Sequence, residues 1–112
     1  MNALTETKKS RFLSKEDIED GGRKVIIDVL RKENVAPFGK KAEEKCVLYF
    51  VDDTKPLILN TTNAKRIANV LGTAESDHWH GKEIELYHDP NVEFGGELIG
   101  GIRVRSIDEL AF

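Results

Sequence analysis

The stretch Leu57-Ile58-Leu59-Asn60-Thr61-Thr62-Asn63-Ala64-Lys65-Arg66-Ile67-Ala68-Asn69-Val70-Leu71-Gly72 decides the fold. Ala64, Ile67, Ala68 and Leu71 recur at i, i+3, i+4 and i+7, the spacing of one apolar helix stripe. Thr61, Thr62 or Asn63 can cap the start, and Gly72 stops the run. A helix over Thr62–Leu71 is therefore expected, with Lys65, Arg66 and Asn69 on its polar face. An amphipathic helix this short covers an apolar opening and is a poor recognition helix. Just before it, Leu57–Leu59 reads as a strand. Pro56 stands at the strand's entry, where a missing N–H does little harm, and Asp52-Asp53-Thr54-Lys55 reads as the turn leading in.

On either side of this unit the period changes from helical to two. Val25, Ile27 and Val29 alternate with polar partners, so Arg23–Lys32 is strand one. In strand two, Cys46, Leu48 and Phe50 share one face, and Val47, Tyr49 and Val51 share the other. The first set is expected inside, because a tyrosine tolerates a half-wet surface. After the helix, Glu83–His88 points Ile84 and Leu86 inward and Glu83, Glu85 and Tyr87 outward. In Ile102–Arg105, Ile102 and Val104 point inward and Arg103 and Arg105 outward. The order is three strands, one helix, two strands. This is the order of the oligonucleotide/oligosaccharide-binding (OB) barrel, whose strand two–three face and one-two and four-five loops meet ligand. The expected fold is mainly β: an OB-like five-stranded barrel with one helix between strands three and four. Step from fold to function is analogy.

The long final hairpin carries a register argument. With Gly95-Gly96 as its two-residue turn, uninterrupted pairing sets Leu86 against Arg105, an inward residue against an outward one. One extra residue near Asp89-Pro90 or Gly100-Gly101 repairs this. Leu86 then meets Val104, Glu85 meets Arg105, and Tyr87 meets Arg103.

At 112 residues, with 39% hydrophobic and 33% charged, the chain reads as one domain with a modest core. It divides into a polar leader over 1–11, expected to be disordered, a barrel over 12–106 and an acidic tip over 107–112. Phe12, Leu13 and Ile18 flank a Ser14-x-x-Asp17 capping pattern and are expected to plug one barrel end. No apolar run is long enough for a membrane, and Met1–Lys9 lacks the apolar stretch of a secretory signal. Cys46 is the only cysteine, so no internal disulfide forms. These features fit a reducing cytosol.

Catalytic signals are weak. Ser76, Asp77 and His78 are adjacent in sequence, which is not triad geometry. His78 and His80 would share a face if they lay in a strand, but they lack the third and fourth ligands zinc requires. The glycine pairs do not match a phosphate loop. No cofactor, metal or catalytic residue is assigned.

The net charge of −3 is unevenly spread: Arg23–Lys45 holds seven basic and four acidic residues, whereas Gly72–Gly100 holds seven acidic residues and one lysine. Arg31, Lys32, Lys40, Lys41 and Lys45 surround Pro37-Phe38-Gly39. Single-strand binders combine cations for phosphates with exposed rings for bases. These residues, with Tyr49 and Arg103, form the candidate nucleic-acid surface. The alternative is that Phe38 folds back onto the barrel while the lysines solvate a long loop.

Several stretches also carry a resemblance. Lys55-Pro56-Leu57-Ile58-Leu59-Asn60, Thr62-Asn63-Ala64 with Ile67-Ala68, Trp79-x-Gly81-Lys82-x-Ile84-x-Leu86-Tyr87, and Phe94-Gly95-Gly96 with Gly101-Ile102-Arg103-Val104 resemble small phage and prophage proteins. The resemblance spans about Phe12 to Arg105. It implies a phage-type barrel acting with single-stranded DNA in replication or recombination, and it brings no catalytic motif. Separately, Asp108, Glu109, Leu110 and Phe112 look like the acidic, Phe-ended tips with which single-strand binding proteins recruit a host or phage replication protein. Leu110 and Phe112 packing on the barrel is the alternative. The rival function is a non-enzymatic docking module, a phage accessory or host inhibitor.

Overall fold

A computed structural model describes residues 11–107. The expected leader, apart from Arg11, and the tip residues Asp108, Glu109, Leu110 and Phe112 lie outside the described residues. In chain order come a 3-10 turn at Lys15–Asp17, β1 (Arg23–Asn34), β2 (Glu44–Phe50), β3 (Leu57–Ile58) and α1 (Thr61–Leu71). There follow a 3-10 turn at Ser76–His78, β4 (Glu83–Asp89), β5 (Glu93–Phe94), β6 (Glu97–Leu98) and β7 (Gly101–Arg105).

The main sheet has the order β3-β2-β1-β4-β7, and every neighbouring pair is antiparallel. β1 belongs to two ladders. Arg23–Ile26 pairs with β4, and Ile27–Asn34 pairs with β2. A register shift between Ile27 and Val29 marks the handover. Strands one to three form the expected meander, and strand four returns beside strand one. The sheet does not close into a barrel: β3 and β7 are its two edges. The reasons are local. β3 is two residues long and follows Pro56, whose carbonyl accepts from Leu13 N at 2.8 Å. On β7, the Ile102 carbonyl accepts from Asn63 Nδ2 at 2.9 Å.

α1 is capped one residue earlier than expected. Asn60 Oδ1, not Thr61, Thr62 or Asn63, accepts from Asn63 N at 2.8 Å. Ile67 is fully buried, Ala64, Ala68 and Leu71 pack against the core, and Lys65, Arg66 and Asn69 face water. The core joins this stripe to Val25, Ile27, Leu48, Phe50, Ile84, Leu86 and Val104. Each such side chain stabilises the fold by about 1.5–3 kcal/mol through removal from water. Trp79 also enters the core, with its Nε1 donating to Thr73 O at 2.9 Å.

Strand two corrects the simple inside–outside division. Leu48 and Phe50 are buried and Val51 is 59% exposed, as alternation predicts. Val47, expected outside, is also fully buried, although it stands apart from the main cluster. Phe12 is buried and likewise outside that cluster, whereas its neighbour Leu13 joins it. Thus Leu13 and Ile18 plug the core as expected, while the chain at Arg11–Phe12 passes over the outer face, where Arg11 Nη2 donates to Asn34 O at 2.9 Å.

The β4–β7 register is the expected one: Glu85↔Arg105, Leu86↔Val104 and Tyr87↔Arg103. Gly95 and Gly96 take φ of +61° and +85°, the mirror-image turn a two-residue hairpin requires. The extra residue lies on the strand-four side, where Pro90, Asn91 and Val92 face only Ile99 and Gly100. Both of these amides donate to Val92 O, at 3.0 and 3.1 Å, and Gly100 has φ +78°. Arg105 makes an ion pair with Glu85. Its guanidinium, rather than that of Arg103, covers the Tyr87 ring, at 4.6 Å.

Candidate nucleic-acid interface

Beyond the reach of β3 and β4, the far halves of β1 and β2 continue as a two-stranded arm. Its ladder runs out to Asn34↔Glu44 and ends with Val35 N donating to Glu43 O at 2.9 Å. Asn34 Oδ1 holds the base of the loop, accepting from Ala36 N at 3.1 Å and Glu43 N at 2.9 Å. At the end, Lys40 N donates to Pro37 O at 3.1 Å and closes a turn over Phe38 and Gly39.

Phe38 projects from this turn fully exposed. It does not fold back onto the sheet, which removes that alternative. Lys40 and Lys41 beside it are exposed, and neither forms an ion pair with another described residue. From Ala36 to Ala42 the tip contains no acid, so an apolar ring and two cations stand together in water.

The remaining candidates are distributed differently. On the outer face of the arm, the Arg31 guanidinium lies 5.8 Å from the Tyr49 ring centroid. Tyr49 Oη donates to Glu33 at 2.8 and 2.9 Å to its two oxygens. That carboxylate holds the phenol proton and, with burial, raises the Tyr49 pKa above its ordinary value. Arg11 stands 3.9 Å from Glu33 and covers the Phe12 ring at 4.4 Å. Tyr49 is thus committed at both its hydroxyl and one ring face. Lys45 faces Glu33 across the ladder and lies 3.7 Å from Glu43. Lys32 is exposed and alternates to the opposite face from Arg31. Arg103 is on β7, with β4 between it and β1, and donates to Ile102 O at 3.2 Å.

The structure therefore gathers Phe38, Lys40 and Lys41 at the tip and sets Arg31, Tyr49 and Lys45 in a neutralised patch behind it. Lys32 and Arg103 are separated from both. Sequence reasoning missed Arg11 as the partner of Glu33; its residue type is compatible, but nothing in the local pattern points 22 positions ahead. The histidines also differ from the strand reading. His78 closes a 3-10 turn, Trp79 is buried, and β4 begins only at Glu83. His80 Nδ1 instead meets Asp28 O at 2.8 Å. Among the described residues, no three His, Cys, Asp or Glu side chains are grouped to hold a metal. No helix among them is long and apolar enough to cross a membrane.

Compared with protein-family models, characterised proteins and solved structures, the chain matches none.

Proposed function

We propose that this chain is a non-catalytic, OB-like protein that binds single-stranded nucleic acid, with DNA as the ligand, through the tip of the β1–β2 arm. The observation that carries this reading is the fully exposed Phe38 beside Lys40 and Lys41, which have no ion-pair partner among the described residues. Water gains nothing from an exposed aromatic ring, whereas a nucleobase stacks on it for about 1–3 kcal/mol. Two lysines without acidic neighbours can replace counterions on adjacent phosphates. The strand order supports the OB-like part of the proposal: β1 pairs with both β2 and β4, and α1 lies between β3 and β4. In this reading the opening between β3 and β7 is where a barrel would close. The setting is phage replication or recombination in the host cytoplasm, as the resemblance of the chain implies.

The test is a titration with a fluorescent oligothymidine at rising salt. The expected log–log plot of affinity against salt is linear, and Lys40→Glu with Lys41→Glu reduces its slope by about 1.4, two phosphate contacts on a single strand. Phe38→Ala weakens binding by about 5-fold to 150-fold, the range of one lost base stack. Unchanged binding by the double variant moves the site off the tip. No binding by the parent at low salt overturns the proposal.

A further inference from the structure

We propose that the opening between β3 and β7 is a docking site for one extended peptide segment of a partner protein, inserted antiparallel to both edges. This site is distinct from the arm tip and does not rest on the nucleic-acid reading.

The backbone dictates the occupant. Leu59 N donates to Cys46 O at 2.9 Å. Antiparallel alternation then turns the polar groups of Leu57 and Leu59 toward β2 and those of Ile58 outward. On β7, Ile102 O accepts from Asn63, so the polar groups of Ile102 also face away from β4. Ile102 O and Pro56 O are taken by Asn63, Arg103 and Leu13, but the Ile58 backbone and the Ile102 amide have no partner among the described residues. These edges border one groove of about 510 Å³, with Leu13, Leu57 and Ile102 among its apolar lining. Unpaired strand edges are templates for another strand.

Direction adds to this. β3 and β7 are each an even number of antiparallel steps from β1, so they run the same way. Joining them directly would need a parallel ladder in an otherwise antiparallel sheet. A strand placed between them, antiparallel to both, continues the pattern on each side and completes the ring.

Asn63 supplies an independent sign. It is 2% exposed and lines the groove, and its amide nitrogen is used by Ile102. Its Oδ1 is buried and has no hydrogen-bond donor among the described residues. Buried acceptors are normally satisfied; a peptide N–H entering beside Ile102 would satisfy this one. The rim sets Lys15 and Arg103 against Glu16 and Glu93, a balance that suits an uncharged segment and gives a polyanion no advantage. The occupant is therefore a short, neutral, β-prone peptide with an apolar side chain turned to the Leu57 floor.

The experiment selects a random heptapeptide phage library on the full chain and synthesises the strongest sequence as the probe. The proposal expects this peptide to slow amide exchange at Ile58 and Ile102 by about tenfold or more, with an affinity that barely changes with salt. Methylating alternate backbone nitrogens of the probe weakens it about tenfold in either register, because one set of N–H groups faces β3 and the other faces β7. Because the methyl groups are on the probe, folding of the protein is not in question. Asn63→Asp, which keeps the acceptor but replaces the donor to Ile102, reports on the same contact. The proposal is overturned if no peptide is enriched, if protection falls elsewhere, or if backbone methylation in either register leaves the affinity unchanged. It is overturned equally if the same amides become protected by raising the protein concentration alone, which assigns the groove to a second copy, or by oligothymidine.

Discussion

The two long hairpins use the same kinds of residue in opposite ways. In β4–β7, Glu85 and Arg105 neutralise one another, Arg105 covers the Tyr87 ring, and Arg66 Nη1 donates to the Tyr87 hydroxyl at 3.3 Å. The β1–β2 arm does this only along its stem, where Arg11, Glu33, Tyr49 and Arg31 form a comparable set. Its tip leaves one ring and two lysines without partners among the described residues. Charge and aromatic content alone would have ranked both hairpins as ligand surfaces. Partner geometry separates a hairpin that consumes its own polar groups from one that presents them.

The largest expected difference is in stability. Leu86 is fully buried at the root of β4, so Leu86→Ala should cost about 2–5 kcal/mol. Phe38→Ala should stay within about 0.5 kcal/mol, because the ring touches no core. Urea midpoints of the two variants test the contrast directly, and a large loss for Phe38→Ala would break it.

Next comes the bulge. Gly100 at φ +78° holds a backbone conformation that side chains rarely adopt, and a Cβ there would also lie 2.7 Å from His88 Nε2 and force that exposed ring aside. Gly100→Ala should cost about 1–3 kcal/mol in strain. Gly39 at the arm tip also has positive φ, but a Cβ there meets nothing within 4 Å. Gly39→Ala should therefore lower the thermal midpoint less than Gly100→Ala does.

A smaller effect is expected at the ion pair. Arg105 keeps 34% of its side chain exposed and Glu85 keeps 15%. Solvent screening limits Arg105→Ala to about 1 kcal/mol, read from the same denaturation curves. Its effect on oligothymidine affinity should be negligible, and a strong effect would mean that the β4–β7 face also presents its cations.

The smallest effect concerns Asp17 beneath the groove. The Ser14 backbone amide donates to its carboxylate at 2.9 Å and is the main cause of a pKa below the ordinary value, with Lys55 at 3.9 Å adding to it. A carboxyl group lowered on folding contributes stability above its unfolded pKa of about 3.9 and loses it as pH falls through the lowered folded value. Wild type should therefore be slightly more stable than Asp17→Asn at neutral pH, and the two should converge on acidification. Chemical denaturation at stepped pH measures this.

Much of the strand plan was legible because period and parity are local. The Ala64–Leu71 stripe marks the helix, and the conflict of Leu86 with Arg105 requires a one-residue shift on parity alone. Other features depended on distant chain. Val47 is buried by cover on a face that its own alternation assigns to solvent. The open edge follows from a third strand only two residues long, which a Leu57–Leu59 pattern does not reveal. At the candidate site, the basic, aromatic loop was readable from composition. The commitment of Tyr49 to Glu33 and Arg31 was not, because it joins residues 16 and 18 positions apart through one particular register. Alternation assigns Arg103 a strand face, but face alone does not tell how many strands lie between two residues.

The division of β1 between two ladders has a kinetic consequence. Its far half meets β2 across a connection of about ten residues, so that hairpin can close from residues 23–50 alone. Its near half must wait for β4, and Arg23 meets Leu86 only after the intervening 62 residues have been made. Closing so long a loop carries the larger entropic barrier and slows folding relative to local pairing. During synthesis the presenting arm can therefore form while the half of the same strand that will anchor it is still waiting for its partner.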